Sequence, residues 1–185
     1  SNPICTERLI LRSLTNEDVG LSYLDWFQDT EILKYLEVRF SPPNSVKELW
    51  KFVQQTNESP NDLLLGIFLK DSFHHIGNIK LGPINHTHYR SDVGFIVGDR
   101  NYWGKGFATE AIQAITSYAF CEFNLSKIVA GCYEANIGSA RALVKAGFTE
   151  EACLESHWLC EGHRENGLLF GRMNPSISPL GSKSE

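Results

Sequence analysis

The stretch RNYWGKGFATEAI, residues 100 to 112, places two glycines and a lysine directly before a run with helical apolar spacing. Gly104 and Gly106 are separated by one residue, and Ala108 follows two positions later. The first backbone N–H groups of a helix lack internal partners and carry partial positive charge. Glycines just before a helix let the backbone approach a ligand and adopt positive φ angles. The stretch therefore predicts a turn that holds an anion such as a phosphate, with a plain structural turn as the alternative.

The glycine spacing distinguishes this turn from two common phosphate-binding motifs. A Rossmann G-x-G-x-x-G would need glycine where the chain has Thr109. A P-loop would need G-x-x-x-x-G-K-[ST], which the turn also lacks. The turn by itself is weak evidence for phosphate binding. Its function has to be inferred together with the elements that precede and follow it in the chain.

Length and composition indicate an ordinary globular protein. The 185 residues suffice for one domain with its own core, and 42% are hydrophobic and 21% charged. No apolar stretch approaches the roughly 20 residues needed to span a bilayer, and SNPICTERL at the start lacks the basic and apolar regions of a signal peptide. The net charge of -5 disfavours a broad nucleic-acid-binding face. We expect a cytoplasmic protein with neither a membrane nor a nucleic-acid partner.

The cysteines and histidines do not form a metal-binding pattern. The five cysteines are odd in number and widely spaced, which predicts reduced, mostly buried thiols rather than a disulfide framework or a zinc site: Cys5, Cys121, Cys132, Cys153 and Cys160. The H-x-H of His86 and His88 lacks a third ligand in sequence, so no metal is expected.

Hydrophobic periodicity predicts alternating strands and helices around the glycine turn. The predicted strands are 6–12, 63–70, 75–81, 92–99, 127–133, 150–156 and 163–173, and the predicted helices are 14–27, 29–40, 45–56, 106–123 and 136–147. Spacings that resemble capping boxes, Thr15 to Asp18 and Ser45 to Glu48, support two helix starts. Residues 82–90 are predicted as a polar loop or irregular edge. We expect residues 1–174 to form one domain and the Ser/Pro-rich stretch 175–185 to be a disordered tail.

This order of elements resembles the GNAT superfamily of acetyl-CoA-dependent N-acetyltransferases. Residues 103–108, WGKGFA, are similar to that family's pyrophosphate turn, Gln/Arg-x-x-Gly-x-Gly/Ala, with Trp103 at the first place. Together with TERLILR (6–12) and NIGSARALVKAGF (136–148), the turn is most similar to the branch of ribosomal-protein N-terminal and bacterial amino-sugar acetyltransferases. The resemblance spans about residues 6–172. It implies an α/β (α+β) GNAT fold, in which a mixed, mostly antiparallel sheet contains two splayed parallel strands and carries helices on both faces.

The resemblance also implies where acetyl-CoA, the co-substrate, would bind. Its pyrophosphate would lie on main-chain N–H groups of the turn: Trp103, Gly104, Lys105, Gly106, Ala108 and Thr109. Its pantetheine arm would fill the gap between the strands DVGFIVG and KIVAGCY, bonded to the main chain of Phe95, Ile96 and Val97. Asn136 matches the family's pantetheine-binding asparagine, although an asparagine there is equally suited to cap a helix. Because the chain is acidic overall, local positive charge must come from Arg100, Lys105, Arg141 and Lys145.

Acetyl transfer by direct attack needs a base, carbonyl-binding N–H donors and an acid for the thiolate. Asp92 stands where many relatives carry a glutamate, which makes it the first candidate base, and Glu134 is the second. Many relatives have a tyrosine as thiolate acid on the helix after the asparagine. Here that stretch reads ALVKAGF, so Ser139 is the remaining hydroxyl for the role of acid or sulfur-side donor.

The acceptor amine is expected to meet the first two helices and the C-terminal hairpin. The candidate substrate-binding residues are Trp26, Tyr35, Glu37, Arg39 and His157. The alternative for Trp26 and Tyr35, individually favoured by their aromatic character, is that they are core residues. The expected acceptor is an amino sugar or, alternatively, a protein N-terminus. Two other functions are alternatives to an acetyltransferase: a non-catalytic acyl-CoA sensor and an unrelated nucleotide-binding protein. The protein is expected to be a monomer or a homodimer.

Overall fold

The sheet of the computed structural model, which describes residues 2–177, follows chain order except at its last two strands. Its order is β1-β2-β3-β4-β5-β6-β8-β7, and every neighbouring pair is antiparallel except β5 with β6. The strands are β1 (Ile4–Cys5), β2 (Leu9–Arg12), β3 (Leu63–Leu69), β4 (His75–Asn85), β5 (Arg90–Val97), β6 (Lys127–Tyr133), β7 (Thr149–Cys160) and β8 (His163–Met173). This arrangement confirms the predicted mixed, mostly antiparallel sheet. The predicted tail lies outside the described residues from position 178 onward.

Helices cover both faces of the sheet, as predicted. They are α1 (Leu21–Trp26), α2 (Thr30–Leu33), α3 (Val46–Glu58), α4 (Phe107–Glu122) and α5 (Ile137–Lys145), with 3-10 turns at Asn16–Asp18, Glu37–Phe40 and Arg100–Tyr102. Successive strand residues point to opposite faces. In β2, Leu9 and Leu11 accordingly join the core beneath α4 and α5, whereas Ile10 packs against the core beneath α1 to α3.

The parallel strands β5 and β6 pair only at their beginnings. Their register is Arg90 with Lys127, Ser91 with Ile128 and Asp92 with Val129. Beyond Asp92, β5 stays bonded to β4 as far as Val97 and β6 stays bonded to β8. The two strands therefore separate, and the β5 edge over 93–97 is left open toward β6.

Several predicted elements are shorter or interrupted. The predicted opening strand 6–12 begins only at Leu9, and the short strand β1 precedes it, because the chain turns at Thr6, whose hydroxyl and backbone both bond to Leu9. The predicted helix 14–27 is broken at Gly20, whose extended backbone makes it the residue before α1. The predicted helix 29–40 is divided because Leu36 is extended (φ -104, ψ 138).

Two further expectations were wrong. Residues 82–85 belong to β4 instead of a loop, because the strand passes through the cis Gly82–Pro83 bond with a shift of register. Only two thiols are buried, those of Cys132 and Cys160. The other three are exposed, since Cys5 lies on the edge strand β1, Cys153 on the edge strand β7 and Cys121 near the end of α4.

Candidate active site

The glycine turn between β5 and α4 has the backbone that only glycine adopts easily. Gly104 has φ +69 and Gly106, the residue before α4, has φ +81. A side chain at Gly104 would project into open space, so the surface in front of the turn is clear. The indole Nε1 of Trp103 donates to the Val97 carbonyl at 2.6 Å, which ties the turn to the end of β5.

The amides of this turn are free to bind a ligand. Among residues 2–177, the backbone N–H groups of residues 104–109 have no protein acceptor within hydrogen-bonding distance. The first N–H that is bonded belongs to Glu110, which donates to the Gly106 carbonyl at 3.1 Å. A row of unpaired donors at the start of a sixteen-residue helix is an anion-binding arrangement.

Arg8 holds the turn in place. Its Nη1 donates to the Lys105 carbonyl at 3.0 Å, its Nε bonds Glu110 at 3.1 Å, and its guanidinium lies 4.1 Å from the centre of the Phe107 ring. Arg8 was not among the predicted site residues, because it is 97 positions away from Lys105 along the chain. Its place in TERLILR gives no local sign of that contact.

A cleft of about 680 Å³, here called the turn cleft, lies in front of these amides. It is bounded by the glycine turn, the open end of β5 and the start of α5, and its lining includes Phe95, Ile96, Val97, Trp103, Gly104, Gly106, Ala108, Thr109, Asn136, Ser139, Arg141 and Lys145. The structure thus brings together nearly all the residues that we predicted for the co-substrate, but the Trp103 N–H predicted to bind the diphosphate instead donates to the Arg100 carbonyl at 3.1 Å. Two predicted cations are not part of this lining: the Lys105 ammonium lies 5.5 Å from the Tyr102 ring, and Arg100 pairs with Asp29 at 2.8 Å.

Asn136 caps α5, and it also faces the turn cleft. Its Oδ1 accepts from the backbone N–H of Ser139 at 3.3 Å. That bond uses the carbonyl oxygen of the side chain and leaves its amide group for another partner. The two interpretations offered by the sequence, helix cap and ligand contact, are therefore compatible.

The two candidate bases lie apart from the turn cleft. Asp92 is at the last β5–β6 pair, and because Val93 faces the α4 side, Asp92 faces the α1–α3 side. Burial raises the pKa of Asp92 above its ordinary value, although nearby Arg90 and Lys80 act in the opposite direction. Glu134 is exposed beyond β6 and accepts from the Asn166 amide at 2.9 Å.

A second cleft of about 680 Å³, here called the aromatic cleft, opens on the α1–α3 side of the sheet. It is lined by Tyr23, Phe27, Leu36, Glu37, Val38, Ser41, Pro42, Pro43, Asn44, Glu48, Leu49, Phe52, Leu64, Asn78, Lys80, Gly94, Phe95 and Ile96. Leu36, Phe95 and Ile96 line both clefts. The clefts therefore meet where β5 separates from β6.

The predicted acceptor residues fall in different places. Glu37 lines the aromatic cleft and Tyr35 lines the turn cleft. Trp26 is a core residue, only 7% exposed, with its ring 4.8 Å from both Tyr23 and His75, so we withdraw it from the site. His157 is exposed on β7 beside Trp158, outside the lining of either cleft.

Arg39 and Tyr133 form a polar network that was not predicted from the sequence. Arg39 Nη2 donates to the Tyr133 hydroxyl at 2.7 Å and to the Leu159 carbonyl, while the hydroxyl donates to Glu37 Oε1 at 3.3 Å. Burial raises the pKa of Tyr133, although the bond from Arg39 opposes that shift. Arg39, predicted to contact substrate, is thus occupied with protein partners. This network could not be predicted from local sequence patterns, because Arg39 and Tyr133 are 94 residues apart along the chain.

Two negative observations apply to the part of the chain that the structure describes. No helix there is long and apolar enough to cross a membrane. No group of three histidine, cysteine, aspartate or glutamate side chains there is arranged to hold a metal ion.

Free amides at the start of a helix, beside a strand edge that is open to an extended ligand, are typical of proteins that bind an elongated anionic molecule. Residues 8–149 match the family described as Acetyltransferase (GNAT) domain. The chain belongs to the GNAT family of N-acetyltransferases.

Individual relatives agree with this assignment. The uncharacterized N-acetyltransferase p20 of Bacillus licheniformis is 29% identical over 166 residues, covering 89% of this chain and 92% of the relative. The uncharacterized N-acetyltransferase YoaA of Bacillus subtilis (strain 168) is 30% identical over 172 residues, covering 92% and 96%. The fold is similar to that of spermidine N-acetyltransferase from Vibrio cholerae in complex with CoA and spermine, with a TM-score of 0.79, 22% identity and coverage of 91% and 96%.

Proposed function

We propose that this enzyme transfers an acetyl group from acetyl-CoA, bound in the turn cleft, directly to a primary amine that enters through the aromatic cleft. The observation that carries the proposal is the meeting of the two clefts at Phe95 and Ile96, next to the free amides of residues 104–109. A thioester reaching that junction from one side is accessible to an amine from the other. Holding two reactants in this relation supplies much of the catalysis of a direct transfer.

The donor side of the proposal assigns a role to each part of the turn cleft. The amides of Gly104, Gly106, Ala108 and Thr109 would bind the diphosphate, with Arg141 adding positive charge from α5. The open main-chain edge at 95–97 would bond the pantetheine arm as an added strand, and Asn136 would contact it from the other side.

The chemical step needs a proton removed and a thiolate stabilised. An ammonium with a pKa near ~10 must lose its proton before the nitrogen attacks the carbonyl carbon and the C–S bond breaks. Asp92 is our proposed base, acting through water, because it lies at the point where the strands separate on the acceptor side. Main-chain N–H groups at 95–97 would bind the carbonyl oxygen, and Ser139 on the cleft wall would donate to the sulfur.

The acceptor is a primary amine, for which the resemblance offered an amino sugar or a protein N-terminus. The donor side does not distinguish them, and a polyamine is a further candidate, because the enzyme of similar fold from Vibrio cholerae is a spermidine N-acetyltransferase in complex with CoA and spermine. Any of them would place its amino nitrogen at the same junction. The class of acceptor therefore has to be decided by the walls of the aromatic cleft.

Gly106→Val tests the donor side, with Gly162→Val as a matched control. Both glycines have nearly equal positive φ angles, +81 and +80, so both substitutions strain the backbone alike. Only Gly106 lies in the turn cleft, whereas Gly162 is in the β7–β8 turn. We expect Gly106→Val to weaken acetyl-CoA binding at least tenfold by calorimetry, since lost charge-assisted hydrogen bonds cost roughly 1.5–3 kcal/mol each. Unchanged affinity, or an equal loss in the control, would contradict the proposal.

A further inference from the structure

We infer that the aromatic cleft selects an amine carried on an apolar body, an arylalkylamine or long-chain alkylamine, over a polyhydroxylated amino sugar. The inference rests on the proposed function, because it assumes that the acceptor enters by this cleft. It goes further by naming the acceptor class from the chemistry of the walls.

The walls offer mostly carbon surface. Phe27, Leu49 and Leu64 are buried in the base, and Val38, Pro42 and Pro43 also line the cleft. Phe52 lines it with a side chain that is still 48% exposed. An exposed aromatic ring beside a concave apolar surface gains free energy when an apolar group covers it.

The polar groups along the base are already bonded to protein. Asn78 Nδ2 donates to the Tyr23 hydroxyl at 2.6 Å, and Asn78 Oδ1 is 2.7 Å from His75 Nε2. Lys80 pairs with Asp62 at 3.3 Å. At Asn78, Tyr23 and Lys80, the ring hydroxyls of an amino sugar would have to displace these bonds or remain unpaired, and burying an unpaired hydroxyl is costly.

The carboxylates of the cleft fit a cationic amine. Glu37 lines the cleft next to Leu36, which belongs to both clefts, and it is held there by the Tyr133 hydroxyl. Glu48 adds a second carboxylate, whose Oε2 accepts from the Asn44 backbone at 2.8 Å. Because the Lys80 charge is matched by Asp62, the cleft favours a cation. The amine would therefore lie near Glu37 at the junction, with its apolar body against Phe52 and the two prolines.

Gly94 leaves the room that this body needs. It lies on the sheet between Asp92 and Ile96, and among the described residues a Cβ built on it meets no atom within 4 Å. Its φ angle is not in the left-handed region, so a larger residue fits the strand without backbone strain. A larger side chain at position 94 would fill this space and is therefore the most direct way to block an apolar acceptor.

The test compares four amines in a thiol-release assay with acetyl-CoA: 2-phenylethylamine, octylamine, glucosamine and spermidine. We expect kcat/KM for 2-phenylethylamine or octylamine to exceed that for glucosamine and spermidine by at least about tenfold, the scale at which apolar contacts discriminate between substrates. Gly94→Leu should lower kcat/KM for the apolar amines at least about tenfold while acetyl-CoA affinity stays within twofold.

Phe52→Ala provides a second, independent variant, with Phe73→Ala as its control. Both phenylalanines are exposed, but Phe73 lies in the β3–β4 turn outside both clefts. We expect Phe52→Ala to lower kcat/KM for 2-phenylethylamine about fivefold and Phe73→Ala to leave it unchanged.

Equal or better use of glucosamine or spermidine would overturn the inference, as would the absence of any effect of Gly94→Leu and Phe52→Ala on the apolar amines. Thiol release with none of the four amines would overturn it as well. Calorimetry on the wild-type chain separates this failure from failure of the proposed function. If acetyl-CoA binds and only the acceptor preference is wrong, the donor side stands, whereas no acetyl-CoA binding removes both.

Discussion

Asp92 occupies the last residue pair before β5 and β6 separate, on the sheet face that carries the aromatic cleft. Burial raises the pKa of its carboxyl group. A higher pKa makes a carboxylate a stronger base at neutral pH, which suits proton removal through water. The role proposed for Asp92 therefore depends on both its position and its environment.

Asp92→Asn is expected to lower kcat about a hundredfold, the usual contribution of a positioned base. In the wild type, kcat/KM should fall as the pH drops through the raised pKa of Asp92, because the protonated carboxyl cannot accept a proton. The variant should lose this acidic limb, as measured by pH-rate profiles. Glu134→Gln is the control, since that carboxylate already bonds Asn166. A larger loss of kcat in Glu134→Gln than in Asp92→Asn would contradict this assignment and make Glu134 the base.

Tyr133, the last residue of β6, connects that strand to Glu37 in the wall of the aromatic cleft. Its hydroxyl accepts from Arg39 and donates to Glu37, and burial keeps its pKa above the ordinary value, so the hydroxyl stays protonated at neutral pH. We regard it as a positioning residue for Glu37.

Tyr133→Phe should raise the KM for the amine about five- to tenfold, the effect of losing one hydrogen bond to a charged group. The kcat and the acetyl-CoA affinity should change little. Tyr118→Phe is the control, because Tyr118 lies on α4 outside the lining of both clefts, with its ring 5.6 Å from that of Phe123. A fall in kcat with loss of the alkaline limb of the pH profile would instead make Tyr133 a proton donor.

At the scale of elements, the connection from β2 to α1 is held by Arg12 and Asp18. The guanidinium bonds both carboxylate oxygens, at 2.8 and 2.9 Å. Burial disfavours the charge of Asp18, but the bonds from Arg12 and Thr15 and the Arg12 charge outweigh it and lower the pKa to about 2. A carboxylate with a lowered pKa stabilises the fold above its unfolded pKa of about 3.9, and this contribution is lost as the pH falls toward 2.

Asp18→Asn should therefore reduce the free energy of unfolding by about 1 kcal/mol at pH 7, after allowance for solvent screening of a partly exposed pair. The difference between wild type and variant should shrink steadily between pH 5 and pH 2 in urea unfolding experiments. Glu17→Gln, a substitution at the exposed neighbour, removes the same charge without the Arg12 bonds and should have little effect. A difference that grows on acidification would contradict this account.

Sequence patterns correctly predicted the features that depend on residues close together in the chain. The alternation of Leu9 and Leu11, the glycines before α4 and the Ser45 cap of α3 each act over a few residues, and the structure contains all three. The interruptions at Gly20 and Leu36 were missed because apolar spacing continues across them. The continuation of β4 through Pro83 was missed because turn residues usually end a strand.

The candidate site was likewise predictable only where its residues follow one another along the chain. The turn cleft was largely predictable, since its backbone donors follow one another along the chain. The aromatic cleft was not, because its walls come from α1, α3, the segment 36–44 and three strands. Trp26 illustrates the difficulty, as an aromatic residue in the expected stretch that packs into the core.

At the scale of the whole molecule, one sheet carries both clefts, and its parallel pair opens between them. All eight strands belong to this sheet, which supports our proposal that residues 1–174 form one domain. Helices α4 and α5 bound the donor side, while α1 to α3 cover the acceptor side. The separation of β5 from β6 after Asp92 is what lets the two sides communicate.

The most direct test of this account is a crystal structure of the chain with acetyl-CoA. We expect diphosphate oxygens about 3 Å from the backbone nitrogens of Gly104 to Thr109 and the pantetheine arm along the β5 edge at 95–97, with the acetyl group at the Phe95–Ile96 junction. A diphosphate bound away from these amides, or an arm that avoids the gap between β5 and β6, would contradict it.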